Sequence, residues 1–407
     1  MMRPETRVAV LFWRFGPYHQ ARLDAAGKNM QVFGIEACGM EDTYAWEKIK
    51  TTGGFTRMTL TDRQAKTRQW EQKLIGKMQL TLADLKPEVV AIPGWASIDA
   101  LSALSWCART NTPAVLMSES TEWDERRVQW KEWMKSRIVR RCSAALVGGR
   151  PHADYAEQLG MESDRIFQGY DTVDNDYFSQ RADEVRAEAA NAGTRKVRDQ
   201  FGLPDNYFLA SARFIEKKNL SRLIEAYALY RRKNASGNFW KLVILGDGPL
   251  KPNIIRQIDN LGIKKFVLFP GFKQYDELPV YYGLAGAFIH ASTTEQWGLV
   301  VNEAMASGLP VLVSNRCGCA ADLVEENRNG FTLDPYNLGQ MAELMLRISD
   351  PGFQSSTFGS ESRRIVANWG PKRFADELRQ AVETAIARPR CKAGIFDQLL
   401  LRFLLAR

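Results

Sequence analysis

Two α/β domains in tandem, each a doubly wound parallel sheet with helices on both faces, are predicted by three observations. Short apolar runs alternate with helix-length segments up to about Phe167, the pattern breaks after Asp171 in a turn-rich, charged stretch, and it restarts more regularly from Tyr207. In the first part the strand candidates are Val8–Phe12, Val89–Ile92, Ala114–Met117, Ala145–Val147 and Ile166–Phe167, each bounded by Gly, Pro or polar residues. Arg63–Leu85 and Ser97–Arg109 have helix length between them, and such alternation builds βαβ units. The second part offers Tyr207–Ala210, Leu242–Leu245, Phe266–Phe269, Ala287–His290, Val311–Val313 and Phe331–Leu333 as strands. Helices are expected near Asn219–Arg232, Leu250–Leu261, Asp276–Gly283, Leu299–Ala306 and Asn337–Ser349. The expected boundaries are 1–172 for a first Rossmann-like domain and 173–200 for a connection with an exposed helix. The second Rossmann-like domain is expected over 201–374, with a helical tail at 375–407 crossing back onto the first. Ligands in such sheets bind beyond the carboxyl ends of the strands, so a cleft between the domains is the expected site.

Composition narrows the class. With 407 residues, 45% of them hydrophobic and 25% charged, the chain has material for real cores and is neither disordered nor fibrous. No stretch reaches the ~18 apolar residues of a membrane span, and the start MMRPETRVAVLFW lacks the pattern of a cleaved leader. A cytoplasmic protein is the expectation. Six scattered cysteines (Cys38, Cys107, Cys142, Cys317, Cys319, Cys391) and three distant histidines argue for thiols rather than a zinc site. The net charge of +8 favours anionic small molecules, lipid or nucleic acid, and no nucleic-acid motif is present.

Chemistry concentrates in Glu295-Gln-Trp-Gly-Leu-Val-Val-Asn-Glu303-Ala-Met-Ala-Ser-Gly-Leu-Pro310. A strand ends at His290, a short turn carries Ser292 and Glu295, and a helix starts near Trp297–Leu299. The first N–H groups of a helix lack partners within it, so Trp297, Gly298, Leu299 and Val300 form a candidate phosphate nest. Glu295 stands at its mouth, and Glu303 lies further along the helix, where both carboxylates can border one cleft. Arg213 and Lys218 follow the first strand of the second domain and approach the same rim. Two cations and a helix end can neutralise a departing diphosphate without a metal ion. The hinge text Asp174-Asn175-Asp176 looks like a metal motif but is ordinary turn composition.

The Glu-x7-Glu spacing followed by Ala-Met-Ala-x-Gly-x-Pro-Val resembles the retaining glycosyltransferases of family 4 (glycosyltransferase group 1 type), which have the two-Rossmann-domain GT-B fold. Ser211-Ala-Arg213…Lys218-Asn219, Gly246-Asp-Gly-Pro249, Pro270-Gly271-Phe272 and Gly169-Tyr-Asp171…Phe178 are similar to further motifs of that family, in order, over about residues 165–335. The resemblance implies that Arg213 and Lys218 hold the donor diphosphate, Glu295 the sugar hydroxyls and Glu303 the ribose, with Gly271 and Phe272 near the base. It implies no metal, no cofactor beyond the nucleotide-sugar substrate, and an acceptor attacking from the leaving group's side. A UDP-sugar is the favoured donor and a GDP-sugar the other; the acceptor is a glycan or glycolipid of cell-surface polysaccharide or lipopolysaccharide. Three departures stand out: a single glycine, Gly16, in the first loop; Ser118-Glu119-Ser120 where many members have a sugar-contacting His; and Cys317-Gly-Cys319-Ala-Ala-Asp322 in place of a Gly-Gly segment.

In the first domain His19 reads as a general base, an acceptor contact or a surface residue. Tyr18 and Trp95, with Trp13 and Phe15, are stacking candidates for an acceptor or rim packing, and Glu119 is a candidate sugar contact. Trp123–Arg141 carries Trp123, Trp130, Met134 and Ile138 on one helical stripe among seven Lys/Arg, three Asp/Glu, which suits either an anionic membrane at the inner face of the plasma membrane or packing on the sheet. The apolar Ile395–Leu405 is expected to dock on the first domain, with a membrane or partner contact second. A sugar-nucleotide epimerase of the same fold and an inactive nucleotide-sugar-binding scaffold are the alternative functions.

Overall fold

The computed structural model describes residues 6–40, 53–65, 67–234, 239–389 and 394–406; Cys391 lies outside them. The chain divides into two compact units, Met1–Val173 with Pro371–Arg407, and Asp174–Gly370.

The first unit is built on a seven-stranded parallel sheet: β1 (Arg7–Phe12), β2 (Gln31–Met40), β3 (Thr56–Arg63), β4 (Val89–Pro93), β5 (Ala114–Ser118), β6 (Ala144–Val147) and β7 (Ile166–Gln168), in the order β3-β2-β1-β4-β5-β6-β7. The direction of winding reverses between β1 and β4, where Val8 faces Val32 on one side and Val89 on the other. Successive side chains of a strand alternate between faces. Val8 and Val10 therefore join one core with Val89 and Val115, while Ala9 and Leu11 join another with Val90 and Leu116. Both faces are covered, so the strands read as continuous apolar runs.

β2 and β3 were absent from the sequence reading. Glu36 sits in the middle of β2, fully buried, and stays satisfied by Arg57 (2.8 and 3.0 Å), the Thr59 hydroxyl (2.6 Å) and the Phe15 N–H (3.0 Å). Gly34 is needed because a Cβ there would lie 2.7 Å from the Phe55 ring.

The helix Pro371–Ala387 completes this unit, with Phe374, Ala375, Leu378, Ala381, Val382 and Ala385 filling the core beside β1 and β4. Arg373 Nε donates to the Gln168 carbonyl at 2.9 Å. The helix Ile395–Ala406 follows and buries Leu401 in the core of the opposite face.

The second unit holds β8 (Tyr207–Ser211), β9 (Lys241–Leu245), β10 (Val267–Gly271), β11 (Ala287–His290), β12 (Val311–Ser314) and β13 (Gly330–Leu333), all parallel, in the order β10-β9-β8-β11-β12-β13. The segment 173–200, expected as a connection with an exposed helix, holds the two helices Asn175–Ala192 and Thr194–Phe201, and both belong to this unit. Asp174 opens the first of them by accepting the Tyr177 N–H at 3.0 Å, and Asn175 Nδ2 donates to the Val366 carbonyl at 2.7 Å. Their N-terminal capping explains the Asp-Asn-Asp text. The return to the first unit falls after Gly370 rather than at 374.

Truncating Phe374, which is fully buried, to Ala should cost about 3–5 kcal/mol of stability. Urea unfolding followed by tryptophan fluorescence reads it, and a loss below about 1 kcal/mol would show that the returning helix is not part of the core.

Candidate functional site

The carboxyl ends of β8, β9, β10 and β11 carry the residues singled out above. Beyond β8, Ala212 and Phe214 are held by the Gly-Asp-Gly turn that follows β9. Phe214 N–H donates to the Asp247 carbonyl at 2.9 Å, and Ala212 N–H to the Leu245 carbonyl at 3.1 Å. Gly246 and Gly248 adopt φ of +116° and +156°, and a Cβ on Gly246 would lie 2.0 Å from the Ala212 oxygen. Only glycine permits this approach. Between Ala212 and Phe214, Arg213 is thereby presented on an exposed loop.

A short 3-10 turn, Glu216–Lys218, comes next and ends on Asn219 in the left-handed region (φ +58°). Asparagine tolerates that conformation. Its buried amide donates to the carbonyls of Ala291 (3.0 Å) and Pro335 (2.8 Å), tying the turn to the end of β11. A bond from the Thr293 N–H to the Lys217 carbonyl (2.9 Å) adds to the tie.

This places Lys218 on Glu295. The Lys218 ammonium contacts Glu295 Oε2, and Lys217 Nζ lies 3.9 Å from Oε1. His290 Nε2 is 3.3 Å and Ser292 Oγ 3.4 Å from Oε2. Glu295 is 8% exposed. Burial alone would raise its pKa, yet the Lys218 charge and the His290 hydrogen bond hold it well below the usual carboxylate range. Burial, with the neighbouring lysines, outweighs the carboxylate's pull on His290 and lowers its pKa. In the tautomer that carries its proton on Nε2, the ring donates to Glu295.

Glu295 is also pinned through its backbone, which bridges Cys317: its N–H reaches the Arg316 carbonyl (3.2 Å) and its carbonyl takes the Gly318 N–H (3.1 Å). Gly298, at φ +106°, follows closely, and a Cβ there would meet Glu295 Cγ at 3.5 Å and His290 Cδ2 at 3.8 Å. The helix Leu299–Ala306 then begins with Gly298, Leu299 and Val300 half-buried, while Val301–Ala306 are buried. The half-buried helix start thus lies beside the Glu295 carboxylate.

Two expectations change. Glu303, expected to border a cleft with Glu295, is fully buried, and its Oε2 accepts the Tyr282 hydroxyl at 2.6 Å. The turn from Gly298 leaves it on the inner side of the helix. The Trp297 side chain belongs to the core: its indole donates to Asn302 Oδ1 (2.8 Å) and packs 4.9 Å from Trp369. The whole residue is 1% exposed, and its carbonyl accepts the Cys319 N–H at 3.2 Å. Gly271 lies at the end of β10, its carbonyl accepting the Gly246 N–H (2.9 Å), and Phe272 is 38% exposed.

Gly16, Tyr18, His19, Trp95 and Glu119 lie in the first unit. Gly16 caps the helix Pro17–Ala26, and its N–H donates to His19 Nδ1 at 2.9 Å. Burial, and secondarily Arg22, lower the His19 pKa to about 3, and its ring lies 4.4 Å from Phe12. Tyr18 is half-buried on the same helix. Trp95 packs edge-on against Tyr155 at 6.3 Å, with Lys135 Nζ 5.9 Å from its ring. Glu119 lies beside the buried Asp171, whose pKa is pushed well up by burial and by the Glu119 charge, against Arg22. His290, Ser292, Lys217 and Tyr282 were missed by sequence reasoning. The position of His290 and Ser292 at the carboxyl end of a strand was the available signal.

Two parallel α/β units of this kind, with a helix start after the fourth strand of the second, are the architecture of the GT-B glycosyltransferase fold. The comparisons agree. Residues 194–368 match the family model of the glycosyl transferases group 1. The Acholeplasma laidlawii alpha-monoglucosyldiacylglycerol synthase is 34% identical over 137 residues, 33% of each chain. A GDP-mannose-dependent alpha-(1-6)-phosphatidylinositol monomannoside mannosyltransferase of Mycobacterium tuberculosis is 25% identical over 48% of this chain and 52% of its own. The chain thus spans about a third to a half of the length of these curated relatives. Among solved structures, Anabaena HepE in complex with UDP matches with a TM-score of 0.68 at 17% identity, covering 93% of this chain and 100% of that one. Sucrose-phosphate synthase from Thermosynechococcus elongatus matches with a TM-score of 0.71 at 17% identity, covering 93% and 99%.

The depressed pKa of Glu295 has a testable sign. Its folded value lies below the unfolded one, so the stability it contributes is present above the ordinary carboxylate range and is lost as pH falls toward the folded value. In urea titrations the gap between wild type and Glu295→Gln should be widest above about pH 5 and narrow as pH drops through ~4.3. A gap unchanged down to pH 3 would show that Glu295 is not held as a buried anion.

Proposed function

We propose that the chain is a retaining, metal-independent glycosyltransferase that moves a sugar from a nucleotide-diphosphate sugar, a UDP-sugar first and a GDP-sugar second, to a glycan or glycolipid acceptor. The observation that carries this reading is the contact of Lys218 with an ionised, nearly buried Glu295 beside the start of the helix Leu299–Ala306. A diphosphate arriving there competes for Lys218, with Lys217, Arg213 and the helix amides as further donors. Glu295 is then left to accept hydrogen bonds from sugar hydroxyls. Charge developing on the departing phosphate meets fixed cations and dipoles, which is how such a site lowers a barrier. The bond from anomeric carbon to phosphate oxygen breaks, the acceptor oxygen adds on the same face, and its proton passes to the departing phosphate.

The relatives support the two ends of the reaction: one bears GDP-mannose in its name, HepE was solved with UDP, and the names of both curated relatives specify lipid acceptors. A role in cell-surface polysaccharide or lipopolysaccharide synthesis, at the inner face of the plasma membrane through Trp123–Arg141, follows from this reading. Among the described residues no helix is long and apolar enough to cross a membrane.

A thermal-shift panel with UDP, GDP, ADP and CMP, each with and without EDTA, tests the donor site. Saturation at ~100 times Kd adds about 2.7 kcal/mol of apparent stability. One nucleoside diphosphate should shift the melt regardless of EDTA, and no shift with any would overturn the assignment. Arg213→Ala should weaken that binding about 10- to 150-fold, the range of a lost charge-assisted bond. Glu295→Gln should keep nucleotide binding and lose transfer; retained transfer would remove Glu295 from the reaction.

A further inference from the structure

The basic tryptophan segment is not one helix from Trp123. Its helix runs Gln129–Val139, Trp123 precedes it, and Ile138 and Val139 are buried. The exposed aromatics are Trp130 (51%) and Trp133 (48%). They share a stripe with Arg137 and Arg141, since residues three or four apart are neighbours on a helix. Arg137 lies 5.9 Å over the Trp133 ring. Arg137 Nε donates to Asp397 Oδ1 at 2.9 Å, and Arg141 contacts the other oxygen of the same carboxylate. Asp397 belongs to the helix Ile395–Ala406 and is 5% exposed. That helix turns Asp397 and Leu401 inward and leaves Leu399 (55%) and Phe403 (54%) in water, one turn apart, with Arg402 between them.

We infer that these two helices, latched by Asp397, form one docking surface for an anionic lipid bilayer. The inference rests on the membrane contact proposed above and adds to it the last helix, for which the sequence put packing first and a membrane or partner contact second. Charge and apolarity both point to this occupant. Residues 123–141 hold seven Lys/Arg against three Asp/Glu, and the four large apolar side chains stand exposed on neighbouring helices. Indole and phenyl groups enter the interface while Lys and Arg meet lipid phosphates. The single Asp397 takes up two arginines inside the latch and leaves Arg126, Lys131, Arg140 and Arg402 exposed.

Flotation of the full chain with vesicles tests this. The chain should float with an equal mixture of phosphatidylcholine and phosphatidylglycerol, and remain below with phosphatidylcholine alone. The pairs Trp130→Ser/Trp133→Ser and Leu399→Ser/Phe403→Ser should each weaken vesicle binding on the order of tenfold. The melting shift with UDP, read on the same variants, reports the donor site separately, so the two readings fail independently. No binding to anionic vesicles, binding insensitive to the Leu399/Phe403 pair, or a wild-type dimer that either pair converts to monomer without altering vesicle binding would overturn the inference.

Discussion

Keeping a carboxylate ionised where water is nearly excluded is the constraint around which the second unit is arranged. A buried anion is costly unless its oxygens find charge and hydrogen bonds. Glu295 finds them on three separate stretches of chain: Lys217 and Lys218 after β8, His290 and Ser292 at and just past the end of β11, and a backbone bridge to Cys317 after β12. None of these holds alone. Asn219 fastens the lysine turn to β11, and the glycines after β9 let the Arg213 loop lie against the neighbouring turn. The chemistry of the site and the register of four strand ends are one problem.

The same economy governs the first unit. Glu36 is buried in β2 with four donors from two segments, the loop at Phe15 and the strand β3. Its carboxylate is thus satisfied by residues distant in sequence.

The parts of this structure legible in the sequence are those with local causes. Strands such as Val8–Phe12 and Ala287–His290 announce themselves because both faces are covered and the runs are unbroken. Glu295, Lys218 and the helix start could be named from spacing. What escaped reading is non-local. β2 and β3 are interrupted by Gly34, Gly39, Glu36 and a series of threonines, whose fitness appears only with Phe55 and Arg57 in place. The helix from Asn175 shows no apolar stripe because it buries little beyond Phe178, Ala182 and Ala189. His290 looked like the last residue of a strand, and Trp297, read as part of a nest, proved to be core because its partner, Trp369, is seventy-two residues away.

The first unit is made of two pieces of chain, and the second piece comes last. Its core beside β1 and β4 lacks Phe374, Leu378 and Val382 until the ribosome has passed through all of the second unit. During synthesis one apolar face of the first sheet therefore stays partly open while the second unit, continuous in sequence, can already close. Completion of the first unit therefore waits for the end of translation, and a chain released before Pro371 would carry a sheet face without its cover.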